Sequence, residues 1–153
     1  MDGRSRLARR GREEWLSRTM RRRLRGRPSG LDVFSDDRSR FAGQLLPALG
    51  EADLVHLHWV ARFLDVTAVL PRLSRPVVWT LHDQQAFTGG CHYDTGCERW
   101  RTGCGQCPQL GQPSARDFSA GSWERKKKAY ADGPDGLTVV TPSRWLGRLA
   151  AES

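Results

Sequence analysis

No run of apolar residues in this 153-residue chain approaches the roughly 18 that a membrane-spanning helix needs. The N-terminal arginines have no apolar stretch behind them, so no secretory signal is expected. There is no internal repeat. Lysine is scarce: three residues, all together at Lys126, Lys127 and Lys128, beside 22 arginines. Acidic residues are scarce only at the start. Residues 1–30 hold 11 basic and three acidic side chains, which accounts for the whole net charge of +8, and the other 123 residues hold 14 of each. The bulk of the chain is therefore electrically ordinary. Attraction to an anionic membrane, attraction to nucleic acid and codon bias compete to explain one basic segment. With 38% apolar and 27% charged residues, a collagen-like, mucin-like or wholly disordered chain is excluded, and one domain with a modest core fits.

Residues 4–25 contain no proline and read as a basic helix, with Trp15, Leu16, Met20 and Leu24 as a narrow apolar stripe. Arg27-Pro28-Ser29-Gly30 breaks it. The helix suits a packed crossover, a surface-lying membrane helix or a nucleic-acid arm. After the break come short, β-branched runs of the kind that form strands covered on both faces. Leu31–Phe34, Ala52–Trp59, Val77–Leu81 and Leu137–Thr141 are the strand candidates. Between Trp59 and Val77, residues Phe63, Val66, Val69, Leu70 and Leu73 have helical spacing, with Pro71 placed to kink or end the helix. Strand, crossover and strand make a βαβ unit, hence a parallel sheet. Thr141 is the expected N-cap of a last helix, Pro142 its first residue, and Trp145, Leu146, Leu149 and Ala150 its apolar face. The Lys126–Lys128 run reads as a solvated helix face. The chain stops barely three turns into the last helix, which reads as a truncation.

All four histidines fall between positions 56 and 92. His56 and His58 share one face of a strand, where they could line a cleft, sit satisfied in a core or ligate a metal. His82 and Asp83 follow the strand Val77–Leu81, and ligands of open α/β sheets bind just beyond the carboxyl ends of strands. A histidine there can donate to a hydroxyl or phosphate or transfer a proton, or simply bond neighbouring backbone. Thr88-Gly89-Gly90 is a small-residue turn that lets a ligand approach the backbone. Ser143 and Arg144, at the start of the last helix, suit an anion or a plain helix cap.

The cysteines read Cys91-x5-Cys97-x6-Cys104-x2-Cys107 in loop-like sequence. In a reducing compartment a disulfide framework is disfavoured. Four thiols in 17 residues can surround Zn²⁺ as a closed structural site, with His92 as an alternative ligand. Unligated thiols and a redox pair at Cys104 and Cys107 are the competing readings, although Gly103, Gly105 and Pro108 speak against the helix that a redox Cys-x2-Cys opens.

Several stretches resemble one known family. They are Val55-His56-Leu57-His58-Trp59, Val77-Val78-Trp79-Thr80-Leu81-His82-Asp83, Phe87-Thr88-Gly89-Gly90-Cys91-His92-Tyr93, Cys104-Gly105-Gln106-Cys107-Pro108-Gln109-Leu110 and Val140-Thr141-Pro142-Ser143-Arg144-Trp145-Leu146. Together they resemble the N-terminal half of family 4 glycosyltransferases over residues 31–153. The resemblance implies an α/β fold with a Rossmann-like parallel sheet, the partial N-terminal half of a GT-B enzyme, carrying a Cys-rich loop over 84–112. It divides the chain into a basic helical segment, 1–30, and a partial acceptor-side domain, 31–153. It implies transfer of a sugar, of hexosyltransferase type and with retention, from a nucleotide-sugar to a polysaccharide or lipid-linked acceptor. His82 matches the catalytic histidine that reaches the transferred sugar. Asp83, Gly89, Gly90, Ser143 and Arg144 become substrate-side elements; Cys91, Cys97, Cys104 and Cys107 remain candidate zinc ligands by their spacing alone. The family's opening strand and glycine-rich turn have no counterpart before residue 31, and the donor-binding domain is not in the sequence. The chain is thus expected to be an inactive fragment. It would be cytoplasmic, with residues 4–25 as a peripheral contact to the anionic inner face of the membrane.

A zinc-stabilised nucleic-acid module with an Arg-rich arm is the alternative. It predicts a basic cysteine loop, yet residues 91–107 balance Arg99 and Arg101 against Asp94 and Glu98.

Overall fold

The computed structural model describes residues 3–39, 41–111 and 114–153. Three strands form one parallel sheet in the order β1 (Val55–Leu57), β2 (Val77–Thr80), β3 (Leu137–Val140). Val55 lies opposite Val77, and Val77 opposite Leu137. The alternation along the strands decides what each contributes. Val55, Leu57, Val77 and Trp79 are buried, while His56 between the two core residues of β1 points to solvent. Fully burying one such aliphatic side chain is worth roughly 1.5–3 kcal/mol, so the short strands β1 and β2 are anchored by few but heavy contacts. β3 differs. Leu137 packs on the core, but Thr138, Val139 and Val140 are exposed, and among the described residues β3 pairs with β2 alone.

The β1–β2 crossover holds a short helix, α3 (Val66–Val69), continued by a 3-10 turn over Leu70–Arg72. Asp65 caps α3 by accepting from the Ala68 amide at 3.0 Å. The α-helix stops where Pro71 enters, as expected from the missing N–H, but it is only one turn long rather than spanning Phe63 to Leu73. Before β1 lies α2 (Ala42–Glu51), whose Leu45, Leu46 and Leu49 lean on the same core. After β2 comes a long loop and then α4 (Phe118–Ala131). Asp117 caps α4 through Oδ1, which accepts from the Ser119 and Ala120 amides at 2.9 and 3.3 Å.

Four expectations are corrected. Leu31–Phe34 forms no strand; Phe34 makes a single antiparallel bridge to Cys91. The last helix, α5 (Arg144–Ala151), is capped by Ser143, which accepts from the Leu146 amide at 3.2 Å, and not by Thr141, whose hydroxyl instead bonds the Ser143 carbonyl. On α5 Leu146 is buried and Leu149 and Ala150 pack on the same core, but Trp145, expected on that face, stands in solvent. Lys126 is not part of a solvated face: it is 1% exposed.

The basic segment is helical as expected, as α1 (Gly3–Arg23). Met20 and Leu24 pack on a small cluster of Phe34, Cys91, Cys107 and Leu110. Arg12 meets Asp65 at 3.7 Å and Arg23 meets Asp36 at 3.9 Å, so the helix is joined to the rest by its stripe and by ion pairs. No helix among the described residues is long and apolar enough to cross a membrane.

Candidate functional site

Parallel strands bring the residues that follow them to one edge. His58 leaves β1, His82 and Asp83 leave β2, and Ser143 leaves β3, all at the carboxyl ends. The sequence-predicted histidines do meet there. His58 Nδ1 and His82 Nε2 are 3.1 Å apart, the distance of a hydrogen bond in which one ring donates and the other accepts. The His56 ring lies 4.3 Å from that of His58, and its Nε2 bonds the Thr80 hydroxyl at 2.8 Å. All three imidazoles are exposed.

Asp83 is the hub behind this edge. Its Oδ2 accepts from Trp59 Nε1 at 2.7 Å and from His92 Nδ1 at 2.7 Å, and Oδ1 accepts from the Gln85 amide at 2.8 Å. Burial pushes the carboxyl up, but the hydrogen bonds from His92, the Gln85 amide and Trp59 outweigh it and hold the group below the usual carboxylate range. His92 then uses its other nitrogen on Ser35 Oγ at 2.9 Å. The buried chain Ser35–His92–Asp83 fixes the turn from which His82 projects, and Trp59 closes it from the solvent side. The sequence offers His92 as an alternative metal ligand, but both its nitrogens are occupied by protein.

Gly89 and Gly90 are needed for a reason other than an open approach. A Cβ at Gly89 would stand 2.5 Å from the Ser119 carbonyl oxygen, and one at Gly90 (φ +133°) 2.6 Å from the Phe34 ring. The space each leaves is filled by protein. Ser143 serves as a helix cap, and Arg144 is exposed. Neither lines the cavity between the ends of β1 and β2, which His58, Trp59, His82 and Asp83 help to enclose and which measures only ≈ 10 Å³. That holds at most a water molecule. The edge is a surface, not a pocket. A groove of ≈ 330 Å³ lies elsewhere, between α1 and residues 34–41, and mixes Leu16, Met20 and Phe41 with Arg21, Asp36 and Arg62.

The turn after β2 is held from behind by α4. Lys126 Nζ donates to the carbonyls of Gln85 and Thr88, and the Tyr130 hydroxyl donates to that of Ala86. Burial pulls the Lys126 amine down to about 8, against the pull of Asp37, Cys91, Cys104 and Asp83. Arg125 forms a two-pronged pair with the buried Asp37 at 2.7 and 2.7 Å. Sequence reasoning missed this whole set, because residues 85–88 and 123–130 are related only through the fold.

The four cysteines, free of disulfides, line one void of ≈ 10 Å³ together with Phe34 and Trp100. Burial pushes the Cys91 and Cys104 thiols up to about 12, helped by their cysteine neighbours. As free thiols they are not drawn in around a point: no three His, Cys, Asp or Glu among the described residues are grouped as a bound ion would hold them. Of the loop's two arginines, Arg101 pairs with both Glu98 and Glu152. That leaves little for a phosphate track.

Comparison with known proteins bears on this chemistry. Over 70 residues, 42% of the chain, the sequence is 56% identical to WcaC of Escherichia coli (strain K12), a protein named for glycosyl transfer in colanic acid biosynthesis. The matched stretch is 17% of that relative's length. No family model and no solved structure matches the chain.

Proposed function

We propose that the chain is the acceptor-side portion of a retaining, GT-B, family 4 glycosyltransferase. It serves transfer of a hexose from a nucleotide-sugar to a polysaccharide or lipid-linked acceptor. The 56% identity to a protein named as a glycosyl transferase carries this reading. The geometry agrees with it: a parallel sheet presents His82, backed by His58 and by the Asp83 network, on an exposed strand edge. Such an edge offers hydrogen bonds to sugar hydroxyls but encloses nothing, as half of a cleft would. The reading gives His82 the contact with the transferred sugar and Asp83 the task of fixing the turn. It places the nucleotide-sugar site in a part of the protein outside these 153 residues. The exposed Trp15, Arg10, Arg18 and Arg22 of α1 suit peripheral contact with an anionic membrane on the cytoplasmic side.

The test is a titration of ¹⁵N-labelled protein with methyl glycosides of glucose, galactose and mannose, followed by amide, indole and imidazole shifts. Perturbation centred on His58, Trp59 and His82, and lost in His82→Ala, is expected. The same protein supplied with UDP- and GDP-sugars should transfer none. Glycosides that perturb only residues remote from this edge, or none, would reject the reading.

A further inference from the structure

The cysteine loop is the motif that glycosyl transfer leaves unused. Cys91, Cys97, Cys104 and Cys107 come from successive bends of one loop, yet all four reach the wall of the same void. The remaining wall includes the buried Phe34 and Trp100, the latter 1% exposed, together with Arg99 and Ser119. Thiols are weak hydrogen-bond partners, so four of them facing one another gain little beyond ordinary apolar packing.

The backbone around them is specifically shaped. Cys104-Gly105-Gln106-Cys107 is a tight turn whose two central residues have φ +142° and +46°. Gly105 is required there, since a Cβ would stand 2.6 Å from the Ala115 carbonyl oxygen. The turn is fastened where the Cys107 amide donates to Asp117 Oδ2 at 2.8 Å, the same carboxylate that caps α4. The charge balance also fits. Arg99 lines the void, and Lys126 lies within electrostatic reach of Cys91 and Cys104. Two cations thus stand beside the position where four thiolates around a divalent ion would leave a double negative charge. His92 is excluded as a ligand by its bonds to Asp83 and Ser35.

We propose that Cys91, Cys97, Cys104 and Cys107 together bind one Zn²⁺ as a structural tetrathiolate site. On binding, the four thiols lose their protons to solvent and the sulfurs close on the ion at about 2.3 Å, drawing the walls of the void inward. Four protein sulfurs complete the tetrahedron, so no position stays open for a substrate. The ion sets the shape of the loop between β2 and α4. The assignment is independent of the glycosyl-transfer reading.

Protein purified without chelator, analysed by elemental mass spectrometry, is expected to carry one zinc per chain. Exchange for Co²⁺ should give intense sulfur-to-cobalt charge-transfer absorption and the visible bands of a tetrahedral four-sulfur site. In the unaltered protein, thiol counting with Ellman's reagent should find the four cysteines shielded until a strong chelator is added. Cys97→Ser, at one of the two half-buried positions, should weaken zinc binding by roughly tenfold or more in competition with a chromophoric chelator. A folded protein with no zinc, no cobalt spectrum and four thiols reactive before chelation overturns the proposal. So does a cobalt spectrum that shows a nitrogen ligand.

Discussion

Asp83 and Lys126 hold the turn after β2 from opposite sides, one accepting hydrogen bonds and the other donating them. Each carries a charge that the interior would refuse without those partners. For Lys126 this has a pH signature. The amine titrates near 8 in the folded chain against an ordinary 10.5. Between those values the unfolded chain keeps the proton and the folded chain has lost it, so this group makes stability rise with pH across that window. Lys126→Met removes the titration. In urea denaturation, the wild-type advantage over Lys126→Met should therefore grow by roughly 3 kcal/mol from pH 8 to 10.5. Comparing the two proteins cancels the alkaline titration of tyrosines and cysteines. A flat difference would place the amine in water instead.

Among the elements, α4 is the one that locks the layers together. Its Arg125 reaches Asp37, 88 positions away, and its Trp123 indole donates to the Trp100 carbonyl at 2.9 Å. Burial pushes Asp37 up, but Arg125 more than offsets this and the carboxyl is held below its usual range. The pair's stabilisation is therefore present above the ordinary carboxylate pKa of about 3.9 and is lost as pH falls through the lowered folded value. Asp37→Asn should cost roughly 2–4 kcal/mol at pH 7, and the gap between the two melting curves should close on acidification below about pH 4. Equal stability at neutral pH would show that the pair is not a buried one. None of this could be read from the chain. The strands β1 and β2 could, because β-branched runs with aromatic neighbours leave few alternatives. Leu31–Phe34 misled, because so short a run finds no strand beside it and pairs only through one bridge, at Phe34 opposite Cys91. Lys126 misled because a lysine run carries no local mark of which member turns inward. The strand-edge histidines were legible, since position beyond a parallel strand is fixed by topology. Ser35 and His92, which anchor Asp83 beside them, were not, being brought in by a loop.

For the molecule as a whole, the excess of basic residues is partly absorbed by the fold. Arg12 and Arg23 of α1 engage acids of the domain, while Arg38 is held by Asp36 at 2.9 Å and stacks 5.4 Å from Trp15. The arginines left in solvent are those that a membrane contact would use. The exposed edge of the sheet is apolar, and this bears on how the protein behaves at high concentration. β3 presents a free row of backbone donors and acceptors, flanked by Val139 and Val140 at 48% and 43% exposure, with Trp145 close in sequence. An uncharged, β-branched edge of this kind templates the addition of further strands from other copies. Light scattering is therefore expected to rise steeply with protein concentration, and Val139→Lys, which puts a charge on that edge, should raise the soluble limit without changing the melting temperature. A variant that clouds at the same concentration would place the sticky surface elsewhere. The strand that completes the sheet is thus also the one that sets the shelf life of the purified protein.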